Sequence, residues 1–280
     1  MTVARALTVE ALERAHPEWS TWLRLTTIAR RAAGDPAWAA AVPSEPPGDG
    51  VARPLIAGAV FAVEARAVVR LVGALIEARA LTPETAVRVL DAAVAHDTAR
   101  FEAVAEETSM SAELLRGVAP LVALPLLQAC GRAWSARIPS AWRRGACPVC
   151  GAWAMLAEAR GVERTLRLRC ARCGGDWATA PLHCPFCGEQ DHEKLRALVG
   201  EAKRDLRGVE ACATCKGYVK TVTTLAACAP LDVGLLDLAT VDLDVAALEH
   251  GYTRPAELDA PLDTRVTTPP ARGLRALFGA

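Results

Sequence analysis

Residues 147–188 read CPVCGAWAMLAEARGVERTLRLRCARCGGDWATAPLHCPFCG, and residues 210–220 read EACATCKGYVK. Eight of the chain's 10 cysteines fall in these stretches as four CxxC pairs: Cys147/Cys150, Cys170/Cys173, Cys184/Cys187 and Cys212/Cys215. A two-residue spacer lets a tight turn aim both sulfurs at one ion, so each pair is half of a tetrahedral thiolate site. Four pairs imply two metal ions, each in a four-cysteine site. Such a shell leaves no open coordination position, which favours a structural role for zinc. Iron in the same shell adds one-electron redox, and the sequence is compatible with either metal.

CPVCGAW opens a first unit that CARCGGDW closes, and CPFCGEQ opens a second that CATCKGY closes. The intervals 151–169 and 188–211 suit a β-hairpin or short sheet, with LRLRC and VEAC as strands delivering the second pair of each unit. This is the zinc-ribbon or rubredoxin-like layout. Gly151, Gly174 and Gly188 follow the second cysteine of their pairs, where the backbone needs positive φ; Lys216 takes that place in the fourth pair. Spacing alone leaves two pairings open: 147/150 with 170/173, or an interleaved set. Arg167, Arg169, Arg172, His183 and Lys216 are near enough in sequence to balance the charge of filled sites, and His183 and His192 flank the third pair.

Other uses of the cysteines fit less well. A secreted disulfide framework is usually short and cysteine-dense throughout, whereas residues 1–129 carry no cysteine and the first residues lack a signal-peptide apolar region. A cytoplasmic location is the expectation. A redox dithiol sits at a helix start after a βα unit, and that context is missing. Cys130 and Cys228 read as packing residues. Neither a paired-carboxylate, a Ser-His-Asp nor a GxGxxG constellation is evident, so an enzyme is not expected. Lys plus Arg and Asp plus Glu are both 32, so no global basic field favours nucleic acid. The best membrane-span candidate, Leu55–Ala80, is broken by Glu64, Arg66, Arg70, Glu77 and Arg79.

The remainder predicts an α+β protein: a helical domain over 1–142, metal modules over 143–181 and 182–228, a C-terminal helix over 229–254, and an extended or disordered tail over 255–280. Residues 8–42 predict two short helices broken at Pro17, and AAVPSEPPGDG a flexible linker. Leu55–Ala80 predicts one long core helix. Thr82 as N-cap and Pro83 at the first position predict a helix to about Glu106, with another starting near Ser111. Pro120 and Pro125 predict a segment cut into short pieces. Leu235, Leu238, Leu243 and Leu248 mark the buried side of the C-terminal helix.

In order, CPVCG, CARCGGDW, CPFCG, EACATCKGYVK and DLATVDLDVAALEHGYTR resemble FdhE, the formate dehydrogenase accessory protein family. The resemblance covers most of the chain and is most specific in its second half. It implies a cytoplasmic maturation factor that contacts the catalytic subunit of a molybdenum or tungsten formate dehydrogenase and binds iron through rubredoxin-like modules. It implies as metal ligands Cys147, Cys150, Cys170, Cys173, Cys184, Cys187, Cys212 and Cys215. Glu210, Lys216, Tyr218 and Lys220 match the segment around the fourth pair, and Asp237, Asp242, Tyr252 and Arg254 the helix after it, as candidate partner contacts. Two rival readings are a zinc-ribbon nucleic-acid binder, for which Arg164, Arg167, Arg169 and Arg172 give a modest basic face, and a thiol-based sulfur or disulfide enzyme, which needs free thiolates. The sequence does not decide between monomer and homo-oligomer.

Overall fold

The structure is a computed structural model that describes residues 7–78, 81–108, 110–198, 206–255 and 262–269. Seven helices build the first half: α1 (Val9–Ala15), α2 (Ser20–Ala32), α3 (Pro36–Ala40), α4 (Ala65–Ile76), α5 (Pro83–Ala95), α6 (Thr98–Thr108) and α7 (Ala112–Trp134). Their starts follow the capping chemistry of the sequence: Thr8, Asp35, Thr82 and Ser111 each accept a backbone N–H from the first turn.

α7 runs unbroken through Pro120 and Pro125, where short pieces are the sequence expectation. Each proline removes a helical hydrogen bond and costs about 3 kcal/mol. Fully burying a Leu or Val recovers about 1.5–3 kcal/mol, and α7 buries Leu115, Val118, Leu121, Val122, Leu126 and Leu127 in the largest core. Burial wins. By length and composition the span Ala112–Arg137 could also cross a membrane, unlike Leu55–Ala80; here it is the central core helix of the domain.

Three further expectations change. Leu55–Ala80 is not one helix: the chain turns at 55–58 and forms strand β1 (Val60–Ala62) before α4. The helix expected from Pro83 to Glu106 divides at His96, which caps α5 in the left-handed region at φ 56 before Thr98 restarts as α6. The segment expected to be a flexible linker is a closed turn, with Gly48 and Gly50 N–H donating to the carbonyls of Leu55 and Arg53.

The second half is built on one six-stranded sheet, in the order β4-β3-β2-β7-β6-β5. Its strands are β2 (Leu156–Arg160), β3 (Thr165–Arg169), β4 (Asp176–Ala178), β5 (Leu195–Leu198), β6 (Arg207–Cys212) and β7 (Tyr218–Thr224). Each cysteine unit contributes an antiparallel trio, and the two trios join through a parallel β2–β7 pairing, Leu156 opposite Lys220. The tandem modules therefore share a sheet. Period-2 alternation splits the side chains: Ala157, Leu168, Trp177 and Val219 join the core with the helical domain, while Leu156 and Val222 pack against Val233 and Leu236 on the other face.

Where one C-terminal helix is expected over 229–254, two form: α8 (Val233–Leu238) and α9 (Val241–Glu249). Leu235 and Leu243 are buried as expected, but Leu248 is exposed because α9 restarts the helical phase at Thr240. Of the tail over 255–280, residues 262–269 are ordered: β8 (Arg265–Thr267) pairs in parallel with β1, and Asp91 accepts the Val266 N–H at 2.7 Å. Residues 256–261 and 270–280 lie outside the described residues.

Candidate metal centres

Each CxxC pair forms the same loop. The fifth residue donates its N–H to the carbonyl of the first cysteine: Gly151 to Cys147 (2.9 Å), Gly174 to Cys170 (3.0 Å), Gly188 to Cys184 (3.0 Å) and Lys216 to Cys212 (2.9 Å). The first cysteine's N–H closes the loop on the sixth residue's carbonyl, in Ala152, Gly175, Glu189 and Gly217 respectively. All four fifth residues have positive φ, 74°, 73°, 79° and, for Lys216, 59°. Gly175 and Gly217 are required for space: a Cβ at Gly175 would lie 2.9 Å from the Cys147 sulfur, and at Gly217 2.7 Å from the Phe186 ring. Their N–H groups point at sulfur instead, 3.3 Å from Cys173 and 3.3 Å from Cys215.

The loops meet two by two in chain order. Cys147, Cys150, Cys170 and Cys173 form one cluster, and Cys184, Cys187, Cys212 and Cys215 the other, each with all sulfurs within 4.8 Å. The interleaved pairing is excluded. Four sulfurs about 2.3 Å from a central ion would lie about 3.8 Å apart. Observed separations are 3.3 Å (Cys147–Cys173) and 3.5 Å (Cys150–Cys170) in the first cluster, and 3.7 Å for both Cys184–Cys215 and Cys187–Cys212 in the second.

The thiol chemistry of the first cluster also fits a cation. Hydrogen bonds from Cys147, Cys150 and Cys173 pull Cys170 well below the usual thiol range. Burial pushes Cys147 well up, and Cys173 rises through its bonds to Cys147, Cys150 and Cys170 and through burial. A divalent ion at their centre would stabilise the thiolate form that burial opposes. Both sets therefore suit zinc or iron, which the eight cysteines could hold.

The clusters differ in setting. All four sulfurs of the first are buried, beneath α7, where Gly131 lets the Cys173 backbone approach so closely that a Cβ there would sit 2.1 Å from the Cys173 carbonyl. In the second, Cys184 and Cys212 are buried but Cys187 and Cys215 are exposed. Burial raises Cys184 and Cys215. At Cys212 burial also raises the thiol, but N–H donors from Cys215 and Thr214 and bonds to Cys187 and Cys184 outweigh it and bring it down to about 7.

The charged residues near the clusters are mostly engaged elsewhere. Arg167 bonds Asp176 at 2.5 Å. Buried Arg169 pairs with buried Glu158 at 2.7 Å and donates to the Cys228 carbonyl, while Glu158 accepts the Cys228 N–H. Arg172 donates to the Ala93 carbonyl and approaches His96. With Arg169 buried and Arg167 paired, these residues and exposed Arg164 form no common basic face. Lys216 lies over the Tyr252 ring at 5.8 Å. Cys130 is fully buried, which pushes its thiol up.

Four motif residues after the fourth pair assemble into one ionic network. Fully buried Lys220 pairs with Asp237 (2.6 Å) and Asp244 (2.8 Å), Arg254 bridges the same two carboxylates (3.0 and 2.6 Å), and the Tyr218 hydroxyl donates to Asp244 (2.7 Å). The network ties β7 to α8, α9 and the segment after them. Asp244 and Glu158 are the residues that sequence reading missed. Asp244 was legible only as a further carboxylate of the motif that carries Asp237, and Glu158 carried no local signal. Asp242 pairs with Arg207 at 2.7 Å, and Glu210 is exposed on β6.

A helical domain joined to two four-cysteine clusters in one sheet defines the class: an α+β protein with two tandem rubredoxin- or zinc-ribbon-like metal-binding modules. The Protein FdhE homolog of Stutzerimonas stutzeri (strain A1501) is 37% identical over 114 residues, 39% of this chain and 36% of that relative. The chain thus matches about a third of the curated relative's length. The crystal structure of the FdhE protein from Pseudomonas aeruginosa superposes with a TM-score of 0.52 at 21% identity, over 91% of this chain and 96% of that one, a likeness of fold. No family model matches the chain. The sequence likeness thus joins part of this chain to an FdhE homolog, and the structural likeness is one of fold.

Proposed function

We propose that this chain is a metal-binding accessory factor for formate dehydrogenase, acting in the cytoplasm by contact with the catalytic subunit and not by catalysis of its own. The observation that carries the reading is the pair of four-sulfur clusters, set in one sheet behind a helical domain as the FdhE-like motifs imply. A closed shell of four thiolates offers a substrate no coordination site, so the metal's contribution is to hold surfaces in place. Of the motif residues, Tyr218, Lys220, Asp237 and Arg254 would shape the docking surface from within, while Glu210, Lys216, Asp242 and Tyr252 lie nearer the partner. Association with the dehydrogenase catalytic subunit tests it. Anaerobic co-purification should recover the complex with metal-loaded chain and lose it after chelation; failure to co-purify under reducing conditions would remove the proposal.

A further inference from the structure

A cleft of about 330 Å³ opens where the helical domain, the first metal module and the end of the described C-terminal segment meet. Its walls are apolar, with Phe101 from α6, Pro120 from α7, and Trp153 and Met155 from the stretch between the first knuckle and β2. Cys170, a ligand of the buried cluster, lies in its floor. The guanidinium groups that line it are Arg116, Arg172 and Arg254, with the His96 imidazole beside them, and among the described residues no carboxylate does.

Carboxylates neutralise these cations incompletely. Among the described residues Arg172 pairs with no carboxylate; its partners are the Ala93 carbonyl at 2.6 Å and the His96 ring at 3.4 Å. Arg116 meets exposed Glu102 at 3.6 Å, a geometry that contributes little in water. Arg254 is held by Asp237 and Asp244, yet its Nε is buried without a hydrogen-bond partner. Burial, and after it the Arg172 charge, holds the His96 imidazole below its usual range. A half-enclosed apolar space with convergent guanidinium groups selects an anion that brings its own apolar surface, because the walls offer few polar partners to anything else. The volume sits at the lower end of small-ligand sites.

We propose that this cleft binds a carboxylate carried on a flat apolar body, the apolar part against Phe101, Trp153 and Met155 and the carboxylate at Arg172. A free organic acid and the C-terminal carboxylate of a peptide share that chemistry.

The test is calorimetric titration of the metal-loaded full chain with 3-phenylpropionate, its neutral alcohol 3-phenylpropanol, and a tetrapeptide ending in phenylalanine as free acid or amide. Carboxylates should bind about tenfold or more tightly than their neutral counterparts, since a charge-assisted hydrogen bond is lost. The tighter of the two acids assigns the source. Arg172→Gln should weaken the acids about tenfold to a hundredfold, and Ala119→Phe, which fills the cleft from α7, should abolish binding. Arg196→Gln, on the far side of the sheet by the second cluster, should leave it unchanged. Metal content and circular dichroism verify that each variant is folded, and the comparison of acid with alcohol on the unaltered chain needs no variant. Equal binding of acid and neutral forms, or no binding of either acid at millimolar concentration, would overturn the proposal.

Discussion

The two four-cysteine clusters are built from the same loop four times over, yet one is sealed and the other open. In the first, four buried sulfurs lie under α7 and join the core that fills the helical domain. In the second, two sulfurs of the same geometry face solvent. Identical ligand chemistry thus serves two ends. A sealed cluster is part of the core, so a metal held there would be coupled to folding of the whole chain. An open cluster lies at one end of the sheet, where solvent and chelators would reach a bound metal first.

Deleting one ligand from each cluster should separate these roles most strongly. Cys170→Ala leaves a buried, charge-deficient set. Structural metal binding worth about 10–16 kcal/mol exceeds most of the roughly 5–15 kcal/mol that a domain has in total. We expect loss of the cooperative thermal transition and of both metals. Cys187→Ser should lose only the second metal and keep the transition. Metal stoichiometry with calorimetry reads both, and equal damage from the two variants would erase the distinction.

Gly175→Ala is gentler. Its Cβ would press on the sulfurs of Cys147 and Cys173, so the first site should keep its metal but release it to a competing chelator at lower concentration, with the second site unchanged, as chelator titration with metal analysis would show. Gly188→Ala has nothing nearer than 3.9 Å and should cost only the left-handed backbone penalty of about 1–2 kcal/mol. Between them falls Lys220→Met. Breaking a buried ion pair costs about 3–5 kcal/mol, and because Arg254 still serves both carboxylates the lower end, about 3 kcal/mol, is expected in urea unfolding. A neutral outcome at Lys220 would mean that the network does not hold α8 and α9 to the sheet.

The sequence was most legible where local chemistry decides the backbone. CxxC spacing, glycine at positive φ and N-cap side chains each act within a few residues, and the four knuckle loops and the helix starts followed from them. Even Lys216, a departure from glycine, adopts the expected conformation because the loop closure imposes it. Legibility failed where distant burial overrides local preference. The prolines of α7 are tolerated because of what that helix buries, and the β8 pairing with β1 joins segments about 200 residues apart, beyond any periodicity. The unequal exposure of the clusters was equally invisible, since it depends on which module the helical domain covers.

The most direct measurement is residue-resolved alkylation of the native protein by iodoacetamide during slow chelation, followed by peptide mass spectrometry. Cys187 and Cys215 should be modified first, with Cys184 and Cys212 soon after, while Cys147, Cys150, Cys170 and Cys173 stay protected until the chain unfolds. Modification of all eight cysteines together, or of the first cluster ahead of the second, would contradict the division into a sealed centre and an open one.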